Sequence, residues 1–175
     1  LISQAIIKCI NISSFKKSML NKWQYIDEMY KQHALLFDYS NFIPDTNVSS
    51  VEILDKKVIM TFRDSGVKFI CIENDKRLAP LDTLNFGSYE IEELQMQLNL
   101  IDNGMNVFDI GANLGWYALH IAKAKPKSTV FSFEPVPSTF SHLNSNITLN
   151  ELPNITPFNF GLSDSEGYFS FFYDP

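Results

Sequence analysis

From Asn106 onward the chain alternates short apolar runs with helical segments, and that order admits few architectures. NVFDIG (106–111) is a short apolar strand, and LGWYALHIAKA (114–124) reads as a helix that stops before Pro126. TVFSFEP (129–135) is a second strand. Pro137 opens a second helix that runs through SHLNSNITLN to a stop near Pro153. NITPFNFG (154–161) holds a third strand and GYFSFFY (167–173) a fourth. Strands joined by helices of this length form βαβ units, so the segment predicts an α/β domain built on a parallel sheet.

Upstream the pattern differs. Residues 1 to about 42 read as helical, with a packing stripe at Phe15, Met19, Trp23, Ile26 and Tyr30 and an ordinary surface or packing histidine, His33, beyond it. A linker over 43–50 contains Pro44, Asp45 and Asn47. VEILDKKVIMTFRDSGVKFICIEN then predicts a β-meander with turns at Asp55-Lys56-Lys57 and Asp64-Ser65-Gly66. LAPLDTLNFGSYE reads as irregular chain, and IEELQMQLNLI as an amphipathic helix ending near Asn103-Gly104. The expected regions are 1–50 (helix and linker), 51–86 (meander) and 87–175 (α/β domain).

Composition narrows the function classes. Hydrophobic residues make up 45% of the chain, with 15 Phe and seven Tyr, enough to bury a core. A net charge of −6 leaves no basic footprint for nucleic acid. Lys123, Lys125 and Lys127 fall at a helix end, where cations complement the dipole. Cys9 and Cys71 lack ligand spacing, so neither a metal site nor a disulfide framework is indicated. Sequons at Asn11, Asn47, Asn146 and Asn154 come without a secretory signal and read as chance. LISQAIIKCINI is interrupted by Lys8 and falls short of the roughly 18–20 apolar residues that span a bilayer. A cytoplasmic location follows as the default expectation.

The chemistry concentrates where the first strand meets its helix. In Asp109-Ile110-Gly111-Ala112-Asn113-Leu114-Gly115, Gly111 allows a backbone conformation or close ligand approach that a side chain blocks. Gly115 lets the first helical turn pack against the strand or a ligand. N–H groups at the helix start are suited to an anion, a phosphate or a carboxylate. The turn departs from Gly-x-Gly-x-x-Gly, because Asn113 occupies the second glycine position. Asp109 closes one strand and Glu134 the next, about 20 residues on, where an acid binds ribose hydroxyls. Glu134 alone is equally readable as a helix cap or a solvent-facing acid.

VFDIGANLGWYALHIA, FSFEPVPSTFSHLNSNITLN and FGLSDSEG together resemble the FkbM-type methyltransferases, from about Gly87 to Tyr173. The resemblance implies a Rossmann-like methyltransferase sheet and S-adenosylmethionine as cofactor. It further implies O-methylation of a sugar or other small-molecule hydroxyl. Asp109, Gly111, Asn113 and Gly115 match the cofactor loop, near the methionine part, and Glu134 the ribose-binding acid. Ser163 and Asp164 fall where the adenine edge is held. Tyr89 and Glu90 match a segment that either closes over the methionine end or only caps and packs a helix. Trp116 and Tyr117 either touch the cofactor or pack the helix.

The same resemblance leads one to expect further strands and an acidic acceptor wall beyond Pro175, the sheet's amino-terminal half being present and its carboxyl-terminal strands missing. No catalytic residue is assigned. On that expectation NVFDIG is left as an exposed edge, which favours self-association and an inactive isolated chain. Two rivals stand: a non-catalytic cofactor-binding or interaction module, and a nicotinamide-dependent oxidoreductase.

Overall fold

The computed structural model describes residues 20–73, 79–168 and 170. The amino-terminal apolar segment with Cys9, the sequon at Asn11, Phe15 and Met19, and most of the expected fourth strand lie outside them.

Helix α1 (Lys22–Phe42), the first among the described residues, belongs to one compact unit, Leu1–Phe42. Asn21 and Gln24 start the helix with a reciprocal cap. The Asn21 side-chain oxygen accepts the N–H groups of Trp23 and Gln24, while the Asn21 N–H donates to Gln24 Oε1. Trp23, Ile26 and Tyr30 of the expected packing stripe are exposed on it. His33 sits edge-on between the rings of Tyr30 and Phe37, an ordinary packing role.

The second unit, Ile43–Pro175, begins with a 3-10 turn at Ile43–Asp45 and an antiparallel meander. Strands β1 (Val48–Leu54), β2 (Lys57–Phe62) and β3 (Lys68–Cys71) pair in sequence order. Both expected turns are present, with Lys56 and Gly66 at positive φ. The expected linker is shorter than its composition suggested. Ser49 and Ser50 belong to β1, because pairing with β2 satisfies a backbone that their side chains do not disfavour at a sheet edge.

The segment read as irregular, LAPLDTLNFGSYE, contains helix α2 (Ala79–Phe86). Its proline falls in the first turn, where no N–H is needed, with Asp82 beside it at the positive end of the dipole. Burial of Thr83 and Leu84 completes the reason that a stretch read as irregular forms a helix. Gly87, at φ 90°, stops it. Helix α3 (Ile91–Leu100) follows as expected.

Strand β4 (Asn106–Ile110), helix α4 (Trp116–Ala124), strand β5 (Thr129–Phe133), helix α5 (Pro137–Asn150) and strand β6 (Ile155–Phe158) then form a parallel sheet in the order β4-β5-β6. This is the expected α/β architecture. Gly167, Tyr168 and Ser170, the described part of the expected fourth strand, carry no strand pairing.

One core joins the meander to the α/β region. Phe62 and Phe69 pack against Trp116, Ala118, Leu119 and Ile121 of α4 and against Val130 and Ile155 of the parallel sheet. Helix α5 lies along β3 and laces its outer edge. Asn150 Oδ1 accepts the Lys68 N–H at 2.7 Å, and its amide donates to the Lys68 carbonyl at 2.7 Å. Asn146 Oδ1 accepts the Ile70 N–H at 3.0 Å, and its amide donates to the Leu114 carbonyl at 3.0 Å. Two asparagines one helical turn apart thus stand in for a fourth strand.

Candidate functional site

The site gathers at the carboxyl ends of β4 and β5, which end level because Ile110 pairs with Phe133 and Asp109 with Ser132. Beyond Ile110 the turn closes on the neighbouring strand. The N–H groups of Gly111 and Ala112 both donate to the Phe133 carbonyl, at 2.9 and 3.0 Å. The Asn113 N–H donates to Glu134 Oε2 at 2.9 Å, and the Gly115 N–H to the Ala112 carbonyl at 2.7 Å. These four are engaged inside the protein, and no phosphate cradle is built from them.

The two glycines do different work. Gly111 has φ 83°, and a Cβ added there meets nothing within 4 Å, so its side faces open space. Gly115 has φ 94°, and a Cβ there would lie 2.7 Å from Leu143 Cδ1 and 3.3 Å from Leu119 Cγ. Gly115 is thus a packing residue against α5. Asn113 between them holds a left-handed φ of 50°, which asparagine tolerates better than most residues.

Asp109 lies on the sheet face covered by α4. Burial pushes its carboxyl up to about 6, with the Glu134 charge adding to the rise and the Ala118 backbone N–H opposing it. Its Oδ2 is buried without a hydrogen-bond partner. Glu134 is buried as well, and its second oxygen, Oε1, accepts the Val136 N–H at 2.9 Å. The carboxylate thereby clasps the cofactor-type loop on one side and the start of α5 on the other. Each oxygen retains capacity for a second hydrogen bond.

Tyr89 and Glu90 precede α3. Glu90 occupies the N-cap position with φ 40°, yet its side chain does not cap the helix. It reaches α4, where the Tyr117 hydroxyl donates to Glu90 Oε2 at 2.6 Å. Burial and the Glu90 hydrogen bond push the Tyr89 phenol up to about 12, and the Tyr117 phenol is raised by the same causes. The Tyr89 ring stands edge-on to Trp116, with centroids 5.2 Å apart.

Ser163 and Asp164 are not drawn into this cluster. Both are exposed, and among the described residues Asp164 Oδ1 accepts hydrogen bonds only from Ser163 and Ser165, at 3.3 and 3.2 Å. The chain just before them is tied to the site, since the Asn159 amide donates to the Glu134 and Pro135 carbonyls at 2.9 and 3.3 Å. Sequence reasoning missed Tyr117 as a polar partner and saw Asn146 only as a sequon. The four-residue spacing of Asn146 and Asn150 was the available signal for a shared helix face. Among the described residues no cluster of three or more His, Cys, Asp or Glu could hold a metal, and no helix is long and apolar enough to cross a membrane.

No family model matches the chain. It is 34% identical over 56 residues to "Methyltransferase 1" of Beauveria bassiana, covering 32% of this chain and 22% of that protein. It is 27% identical over 121 residues to "Methyltransferase sdnD" of Sordaria araneosa, covering 61% of this chain and 46% of that protein. The chain thus spans less than half the length of these curated relatives. Among solved structures, P. horikoshii TYW2 in complex with MeSAdo aligns with a TM-score of 0.48 at 23% identity, covering 62% of this chain and 38% of that one.

Proposed function

We propose that this chain is the cofactor-binding part of an S-adenosylmethionine-dependent methyltransferase of FkbM type. The observation that carries the reading is the pair of acids at adjoining strand ends beside a loop whose N–H groups are already engaged. A dinucleotide needs those N–H groups for its pyrophosphate, which counts against a nicotinamide cofactor. S-adenosylmethionine brings no phosphate, and it brings cationic groups for which the unpartnered Asp109 oxygen is suited. When bound it supplies an electrophilic methyl carbon on a sulfonium.

The residues present fit that molecule. Glu134 offers its remaining acceptor capacity to ribose hydroxyls, and Gly111 leaves room for close approach. Asp109 and Glu90 hold negative charge near the methionine end, Glu90 braced by Tyr117. Gly115 and Asn113 keep the turn in shape. Ser163 and Asp164 are proposed at the adenine edge, which requires the exposed stretch after β6 to settle against the ligand. The resemblance supports the hydroxyl of a sugar or other small molecule as acceptor. The two curated relatives carry methyltransferase names, which agrees with the reaction type.

Calorimetric titration with S-adenosylhomocysteine and with NAD tests the reading. Saturable binding of the first and none of the second is expected, and the reverse overturns it. Glu134→Gln keeps an oxygen for the loop but loses the charge, so affinity should fall about tenfold as charge-assisted bonds to the ribose weaken.

A further inference from the structure

A second cavity, of about 330 Å³, opens between the β2–β3 turn, the segment before α3, and the facing sides of α3 and α4. Asp109, Gly111, Asn113 and Glu134 do not line it, whereas Tyr89 and Trp116 do, so it adjoins the site described above without including its loop. Ile91, Leu94 and Leu98 of α3 form one wall, and Trp116 and His120 of α4 the other. The volume lies at the lower end of the range for small-molecule sites.

His120 gives the cavity its chemistry. The residue is only 5% exposed, and its Nδ1 lies 2.7 Å from the Trp116 carbonyl oxygen. A carbonyl only accepts, so Nδ1 carries the ring proton and Nε2 is left as a bare acceptor. Burial pushes the imidazole down to about 4, against the Trp116 hydrogen bond, so the ring is neutral at ordinary pH. Nε2 has no hydrogen-bond partner among the described residues. In the same wall the Trp116 indole N–H is buried without a partner, its ring 4.3 Å from the imidazole between centroids. A buried donor left unpaired is costly to a fold that gains nothing from it, and His120 Nε2 beside it keeps contact with open space.

We infer that this cavity is a binding site for a hydroxylated small molecule, its apolar body against Leu94, Leu98 and Trp116 and its hydroxyl donating to His120 Nε2. A hydroxyl donates and accepts, so it is the simplest group that answers both open partners. Asn47, Asp64 and Gln95 also line the cavity and supply further polar contacts. Lys123 lines the cavity too, its ammonium donating to the Gly66 carbonyl.

Benzyl alcohol and toluene, alike in body and differing by a hydroxyl, are the probes, used with the whole chain. The readout is the ¹⁵N resonance of His120 Nε2, assigned by its loss in His120→Phe. Benzyl alcohol is expected to move that resonance saturably toward the protonated range and to bind about tenfold more tightly than toluene, the equivalent of roughly 1.4 kcal/mol. His120→Phe should narrow the difference between the two probes to what the Trp116 N–H alone supplies, and Leu98→Trp, which fills the cavity from α3, should abolish both. The probe comparison needs only the unsubstituted chain and so stands if a variant fails to fold. Equal affinities, a resonance unmoved up to the solubility limit of benzyl alcohol, or a folded Leu98→Trp chain that still binds would each overturn the inference.

Discussion

The two sheets of the second unit finish their outer edges in opposite ways. The edge of β3 is closed without a strand, by Asn146 and Asn150 of α5. The outer edge of β4 has no strand partner among the described residues, and Phe108 and Ile110 on it are 61% and 64% exposed. A helix can therefore complete a sheet when its side chains repeat at one turn and carry both donor and acceptor. Where that spacing is lacking, the edge stays available. The open face of β4 also continues an aromatic ladder, Phe108 stacking on Phe131 and Phe133 on Phe158, with centroids 5.2 and 5.0 Å apart.

The largest expected effect breaks the closed edge. Asn146→Ala would unpair the Ile70 N–H and the Leu114 carbonyl together, costing roughly 2–4 kcal/mol in denaturant unfolding. A loss below about 0.5 kcal/mol would mean that water replaces the amide and the lacing is incidental. Next comes Gly115→Ala, which places a methyl against Leu143 and strains a left-handed residue, for about 1–3 kcal/mol. Gly111→Ala meets no atom and should cost less stability, yet weaken S-adenosylhomocysteine binding more than it lowers the melting temperature.

A smaller effect separates the acid from its burial. Asp109 has its folded pKa raised from 3.8 to about 6, so the folded state holds this proton more tightly than the unfolded chain. Stability should fall as pH rises through that window and level off above it. Asp109→Asn should flatten the profile there and leave the unliganded chain more stable at neutral pH. An unchanged profile would show that the carboxylate finds water. The smallest effect belongs to the open edge. Ile110→Lys should alter stability by no more than about 0.5 kcal/mol while lowering concentration-dependent self-association in sedimentation. Sedimentation of the unsubstituted chain as a monomer at every concentration would remove the edge from consideration as an interface.

Much of this was legible before any coordinates. The strand–turn–helix order from Asn106 is written in apolar period and in Gly111 and Gly115, and Asp109 and Glu134 are placed by their offsets from those strands. Three things were not. LAPLDTLNFGSYE looked irregular because the role of Pro80 in a first helical turn depends on the burial of Leu84 and Thr83, which are tertiary facts. The engagement of the loop N–H groups was hidden because the acceptors of Gly111, Ala112 and Asn113, the Phe133 carbonyl and the Glu134 carboxylate, belong to the end of the next strand. His120 carried no sequence signal, since its open nitrogen follows from the ring's bond to Trp116.

Asn146 also heads the tripeptide Asn-Ile-Thr, a signal that oligosaccharide transferase reads on nascent chains. In the finished fold its side chain is 1% exposed and both ends of its amide are occupied. A sugar added there during synthesis would leave a branched glycan where the β3 edge and the Leu114 carbonyl must meet. The native arrangement would then be out of reach. Recombinant production through a secretory route should yield aggregated, glycosylated material, and Thr148→Ala, which removes the signal while keeping Asn146, should restore the folded form.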